Sequence, residues 1–210
     1  MKSSIGSFEL PVPSYIIPKL LSFLCKKNIQ DEKHKLSKKD YDKLIEGLDR
    51  WGMIGFINRV GSLSIEELHE SIMLLYNRGF RYFVLDHLNY FIDPEDSENN
   101  SKADAAMILL QKLVKTHLDM GICLVVHPRK VTIDLKTGQP RPITRQDFKG
   151  SSRIIQDADN IWIMNQDKQR CCVRLTCDKL RSEKTSIAPG QSVDIYFDKE
   201  AFKYTIIPVV

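Results

Sequence analysis

A chain of 210 residues has room for one sizeable α/β domain. Its 42% hydrophobic and 28% charged content is that of a water-soluble globular protein, and a formal net charge of +4 permits a polyanionic partner without requiring one. No apolar run reaches the ~18 residues of a membrane span and no signal-peptide pattern opens the chain, so a soluble intracellular protein is expected, its compartment unspecified.

In chain order, Ser4 to Phe8 reads as the end of a short strand, closed by Glu9, Leu10 and Pro11. Prolines at 11, 13 and 18 delay a long helix, although Ile16 to Leu24 is apolar enough to pack. Ser37 is a good N-cap for a helix to about Trp51, with Tyr41, Leu44, Ile45 and Leu48 on one face and Gly47 interrupting it. Met53 to Ile57 is a short apolar strand. Ser64-Ile65-Glu66-Glu67 matches a capping box, and Leu68, Ile72 and Leu75 continue at helical spacing to Asn77, before a stop at Gly79.

Tyr82 to Leu85 is a continuous apolar run ending in Asp86, the pattern of a strand buried on both faces. After a polar loop (Asp93 to Asn100), a long helix is expected from about Ala103 to Asp119. A second buried strand, Ile122 to Val126, then ends at His127. Strand, helix, strand predicts a parallel sheet. From Asn160 the texture changes to short strands at Ile161 to Met164 and Cys172 to Thr176, with a closing hairpin from Val193 to Ile207. With no repeat and no linker, residues 1–210 read as one domain.

The five cysteines (Cys25, Cys123, Cys171, Cys172 and Cys177) show no CxxC pairing, which predicts free thiols in a reducing compartment. As neighbours in a strand, Cys171 and Cys172 would point to opposite faces. His and Cys never cluster at ligand spacing, so no zinc site is expected.

Ligands of open α/β sheets sit beyond the carboxyl ends of the strands, and three strands here end in Glu9, Asp86 and His127. A strand-ending Asp can help hold magnesium beside phosphates, a neighbouring Glu can activate water, and a third polar group can bond a terminal phosphate. Each also has an ordinary reading as a turn former, solvated acid or loop histidine.

A basic stretch follows, with Arg129, Lys130, Lys136, Arg141, Arg145 and Lys149 against Asp134 and Asp147. It suits phosphate-backbone contact with nucleic acid, or a solvated loop. Lys179 and Arg181 leave a strand end together. They could face an anion, with Arg181 as an arginine finger, or form a solvated basic turn.

These residues resemble the helicase domain of the DnaB-like superfamily, and within it the Twinkle and phage primase-helicase branch. The carrying stretches are Gly6-Ser7-Phe8-Glu9, Val84-Leu85-Asp86-His87-Leu88, Leu124 to Lys130, Gly150-Ser151-Ser152, Gln156 to Asn160 and Lys179-Leu180-Arg181. The resemblance implies a RecA-like, mostly parallel sheet flanked by helices, with a C-terminal β-hairpin. It implies ATP and Mg2+ as cofactors, single-stranded DNA as partner, and a homo-oligomeric ring, in the family a hexamer. Glu9 would be the catalytic glutamate, Asp86 the Walker B aspartate acting on Mg2+ through water, and His127 the γ-phosphate sensor. Arg181 would be the arginine finger, with Lys179 its companion, both acting on the adjacent subunit's ATP. The stretch from Arg129 to Lys149 takes the place of the DNA-binding loop, and Gln156 a coupling position.

One departure stands beside these matches. No glycine in the sequence is followed by lysine, so the G-x-x-x-x-G-K-[ST] loop that cradles phosphates does not occur in it. The family places that loop and its strand upstream of the glutamate. The expectation is a core lacking its first (P-loop) strand, N-terminally incomplete, and active only when a separate polypeptide supplies that part. The turn after Arg181, Ser182-Glu183-Lys184, also departs from the family's acidic-glycine pattern. The alternative, of a different class, is a non-catalytic remnant binding DNA or helicase subunits. A recombinase-like or clock-like relative fits the 124–130 and 179–181 stretches less well. A phage-infected cell or an organelle is the setting the resemblance suggests.

Overall fold

The structure is a computed structural model. It describes residues 1–59, 63–87, 99–128, 133, 141–147, 152–181 and 187–209, excluding the side chains of 99–101 and 152. The chain forms two compact units, residues 1–127 and 128–210.

The first unit is an α/β layer structure. Strand β1 (Lys2–Ser7) leads through a π-helical turn (Val12–Ile16) to α1 (Ile17–Cys25) and α2 (Lys38–Trp51). Strand β2 (Ile54–Asn58), α3 (Ile65–Asn77), β3 (Phe80–Asp86), α4 (Asn99–Thr116) and β4 (Gly121–Leu124) follow. The sheet order is β2-β1-β3-β4 and every pairing is parallel. Helical structure starts earlier than the prolines suggested. Pro13 and Pro18 fall in the first two positions of their helical segments, where a missing N–H costs nothing.

Helix α2 starts at Ser37, whose hydroxyl accepts the Asp40 N–H at 3.2 Å, and ends on Gly52 in the left-handed conformation. Tyr41, Leu44, Ile45 and Leu48 pack with Leu21 and Ile29 into a small core under α1, as their spacing requires. Gly47 lies on the exposed side of α2, and a Cβ there would meet no atom within 4 Å. Gly47→Ala is therefore expected to stabilise the chain by about 0.5–1 kcal/mol, read as a raised urea midpoint with an unchanged slope.

Ser64 and Glu67 form the expected capping box: Ser64 Oγ accepts the Glu67 N–H at 3.1 Å, and the Glu67 carboxylate accepts the Ser64 N–H at 3.0 Å. Leu68 and Ile72 on α3, Phe83 and Leu85 on β3, and Ala103 and Ala106 on α4 are buried to about the last ångström of surface. Close backbone approach explains Gly55, where a Cβ would fall 2.9 Å from the Phe80 ring.

The central strands are less enclosed than their apolar runs suggested. Tyr82 of β3 is 42% exposed and Cys123 of β4 is exposed. Tyr82 lies over Gly121, whose missing side chain leaves room for the ring. Strand β4 also closes two residues earlier than expected, although the Val125 N–H still donates to Leu85 O at 2.9 Å.

The second unit carries a short helix α5 (Ser152–Asp157) and an antiparallel sheet of β5 (Asn160–Asp167), β6 (Cys172–Leu180), β7 (Ser192–Asp198) and β8 (Lys203–Val209), in that order. The expected hairpin is β7–β8. Cys171 is not in the strand: it turns the chain with a φ of 52° and is exposed, while Cys172 begins β6 and is buried. All five cysteines are free.

Two carboxylates hold this unit's polar interior. Arg174 donates to Asp194 at 2.8 and 3.0 Å and Arg170 adds a bond at 3.2 Å, so Asp194 is held below the usual carboxylate range. The Arg141 guanidinium grips Asp147 through both oxygens. Thr144 N–H and Thr144 Oγ1 donate to it as well, and its carboxyl is held far below that range. A depressed folded-state pKa contributes stability that is complete above the unfolded value of about 4 and is lost as pH falls through the folded value. The melting temperature is therefore expected to fall below about pH 4. Asp194→Asn should lower it at neutral pH and flatten its acid fall; an unchanged acid profile would remove Asp194 from this account.

Candidate functional site

The carboxyl end of the parallel sheet gathers the polar strand ends. Ser7 and Asp86 are register partners on β1 and β3, and the Phe8 N–H continues the ladder to Asp86 O at 2.9 Å. Buried Ser7 then turns the chain. Its hydroxyl donates to Leu10 O at 2.8 Å and accepts the Leu10 N–H at 3.3 Å, which leaves Glu9 at the bend with a half-exposed side chain. Close packing of Gly6, whose Cβ would fall 3.1 Å from Leu85 and from Phe8, keeps the two strand ends together.

Asp86 ends β3 with its side chain 36% exposed, and the following peptide, Asp86–His87, is cis. His87, which sequence reasoning did not single out, is buried here. Its Nδ1 lies 3.4 Å from Glu9 Oε2 and 3.7 Å from Asp86 Oδ1, and its ring meets the His127 ring edge-on with centroids 4.1 Å apart. Burial is the main cause that pushes the His87 pKa down, with His127 adding to it against the opposing pull of Glu9 and Asp86. The imidazole is therefore neutral at pH 7, and its approaches to the carboxylates are contacts of a neutral ring.

Three of the expected residues, Glu9, Asp86 and His127, thus meet at one sheet end. Magnesium takes oxygen ligands and keeps several of its waters, and the open Asp86 carboxylate suits water-mediated contact of that kind. What could have drawn attention to His87 in the sequence is its place directly after a strand-ending acid.

The remaining site residues lie in the second unit. Lys179, on β6, donates through Nζ to Ile155 O at 2.7 Å and Gln156 O at 2.9 Å. Arg181, just past β6, donates to Gln156 O and to Asp159 Oδ1, both at 2.9 Å. Both cations therefore cap the carbonyls that end α5, the element carrying Gln156. Burial and the neighbouring Arg181 lower the Lys179 pKa. Of the basic stretch, Arg141 is engaged by Asp147, and Arg145 pairs with Asp178 at 2.9 Å. Arg129, Lys130, Lys136 and Lys149 lie outside the described residues. No helix among the described residues is long and apolar enough to cross a membrane.

No protein-family model matches the chain, and no curated protein matches it. Solved structures do. A DnaB-like replicative helicase ATPase domain superposes with a TM-score of 0.70 at 17% identity, covering 97% of this chain and 73% of its own. A DnaB-like replicative helicase, solved for its interactions with primase, gives a TM-score of 0.70 at 18% identity over 97% of this chain. This chain spans 51% of that one, about half its length. Identity this low bears on architecture alone. The chain has the RecA-like α/β fold of DnaB-like replicative helicase ATPase domains, a parallel sheet flanked by helices with antiparallel strands at its C-terminal end.

Proposed function

We propose that residues 1–210 form one core of a ring-forming replicative DNA helicase motor, which hydrolyses ATP to move along single-stranded DNA once a phosphate-binding segment is supplied. The observation that carries this reading is the meeting of Glu9, Asp86 and His127 at the carboxyl ends of adjacent parallel strands, in a helicase-like fold.

Glu9, half exposed at its turn, orients and deprotonates the attacking water. Asp86 contributes to Mg2+ binding through water, and His127 bonds the terminal phosphate and reports its presence. Bound Mg2+ would supply charge neutralisation on the phosphates. Arg181 and Lys179 serve the ATP of the neighbouring copy in the ring, a hexamer as in the resembling family. Their hydrogen bonds to the end of α5 give nucleotide contact a direct route to Gln156. The basic stretch from Arg129 to Lys149 provides backbone contact with DNA, in which Arg141 and Arg145 act chiefly by shaping the loop.

Nucleotide binding tests this reading. A fluorescent ATP analogue with Mg2+ is titrated into the purified chain, alone and with an added polypeptide carrying a P-loop strand and loop. Binding that requires the added segment, and that weakens in Asp86→Asn, is the expected result. A folded chain that binds no nucleotide under either condition would replace the motor with the non-catalytic DNA- or helicase-binding remnant.

A further inference from the structure

Glu9, His87 and His127 each offer one ligand atom, and the three atoms lie within 4.8 Å of one another. They come from the ends of three neighbouring strands, so the sheet assembles a group that no local sequence spacing could announce. One edge is already at coordination length. His87 Nδ1 and Glu9 Oε2 are 3.4 Å apart, against roughly 3.3 Å for two ligands of a tetrahedral ion with bonds of about 2.0 Å.

The other edges can close by side-chain rotation. Glu9 and His127 are both exposed, whereas His87 is held in the interior and fixes the position about which they close. Two imidazoles and one carboxylate form a donor set for borderline ions, as in three-ligand zinc sites that keep a fourth position open. They are a poor set for magnesium, which favours oxygen and water. The exposure of two of the three ligands leaves that fourth position accessible to water or a phosphate oxygen.

We propose that Glu9, His87 and His127 form a binding site for a divalent transition ion of the zinc class, separate in chemistry from the magnesium that accompanies ATP. The expectation of no zinc site, drawn from the lack of clustered His and Cys along the chain, is thereby revised. Because the ion takes Glu9 and His127, its occupancy silences the hydrolytic site. That consequence rests on the proposed motor function; the binding itself does not.

The test uses the full chain without nucleotide. Zn2+ is titrated in competition with a chromophoric chelator, and Co2+ is followed by its visible absorption. One equivalent should bind, with cobalt d–d bands and without a thiolate-to-cobalt charge-transfer band. Affinity should fall about 10-fold or more in both His87→Ala and His127→Ala, and excess Mg2+ should not displace the ion. His127 is exposed, so its variant carries the test even if His87→Ala is shown by circular dichroism to be unfolded. Absence of binding, equal affinity in the folded variants, or a thiolate band placing the ion on cysteine would overturn the site. Nucleotide binding, measured separately in Mg2+, stands or falls on its own.

Discussion

Glu9→Gln is expected to lower ATP turnover by about 10²–10⁴-fold while leaving nucleotide binding in place. Glutamine keeps the size of the side chain and can still hold a water by hydrogen bonding, but it cannot accept the proton that water must lose. The exchange should also be gentle on the fold. Glu9 is half exposed at a bend made by the Ser7 hydroxyl and the Leu10 backbone, and its carboxylate supports none of that geometry. The measurement is phosphate release by the chain combined with a P-loop segment, set beside fluorescent-nucleotide affinity in the same mixture. Parallel loss of both would make Glu9 a binding residue. Undiminished turnover would remove it from catalysis and leave the strand-end geometry without a base. The two readings of Glu9, as base and as ligand to a transition ion, also separate here: chelator should raise wild-type turnover only if the ion competes for the site.

What could be read from the sequence follows from how local each cause is. Helix α3 is visible because Ser64 and Glu67 cap it within one turn and Leu68, Ile72 and Leu75 repeat at helical spacing. The buried face of α2 is visible for the same reason. Strand β3 declares itself by an apolar run that stops at an acid, but Tyr82 shows the limit of that rule. How far a strand is covered depends on neighbours such as Gly121, which are remote in sequence.

The same limit governs the polar residues. Arg141 and Arg145 look like free cations in a basic loop, yet each is matched to a carboxylate, Asp147 nearby and Asp178 on β6. Lys179 and Arg181 suggest an anion partner, and in the chain itself they meet helix-end carbonyls, which are also sites of partial negative charge. His87 is the clearest case. Nothing in its flanking residues separates it from a loop histidine, and only the parallel pairing of β1, β3 and β4 brings Glu9 and His127 to it.

Phe83→Ala should be the most damaging single change to stability, at about 3–5 kcal/mol. Phe83 is 1% exposed at the middle of β3, with Ser4 of β1 and Ile122 of β4 as its register partners on either side. Truncation removes the ring's burial and leaves a cavity that two flanking strands cannot collapse into without breaking their ladders. A loss of that size is a large share of the roughly 5–15 kcal/mol that a domain holds in total. Urea unfolding in a Trp162→Phe background, where Trp51 is the remaining tryptophan and reports on the first unit, provides the readout. The midpoint should fall steeply with the slope retained, and Phe83→Leu should recover most of the loss because it refills the cavity. If Phe83→Ala cost no more than Gly47→Ala gains, the parallel sheet would not be the core that positions Glu9, Asp86, His87 and His127. The site geometry would then have to be held by the turn at Ser7 and by the side chains themselves.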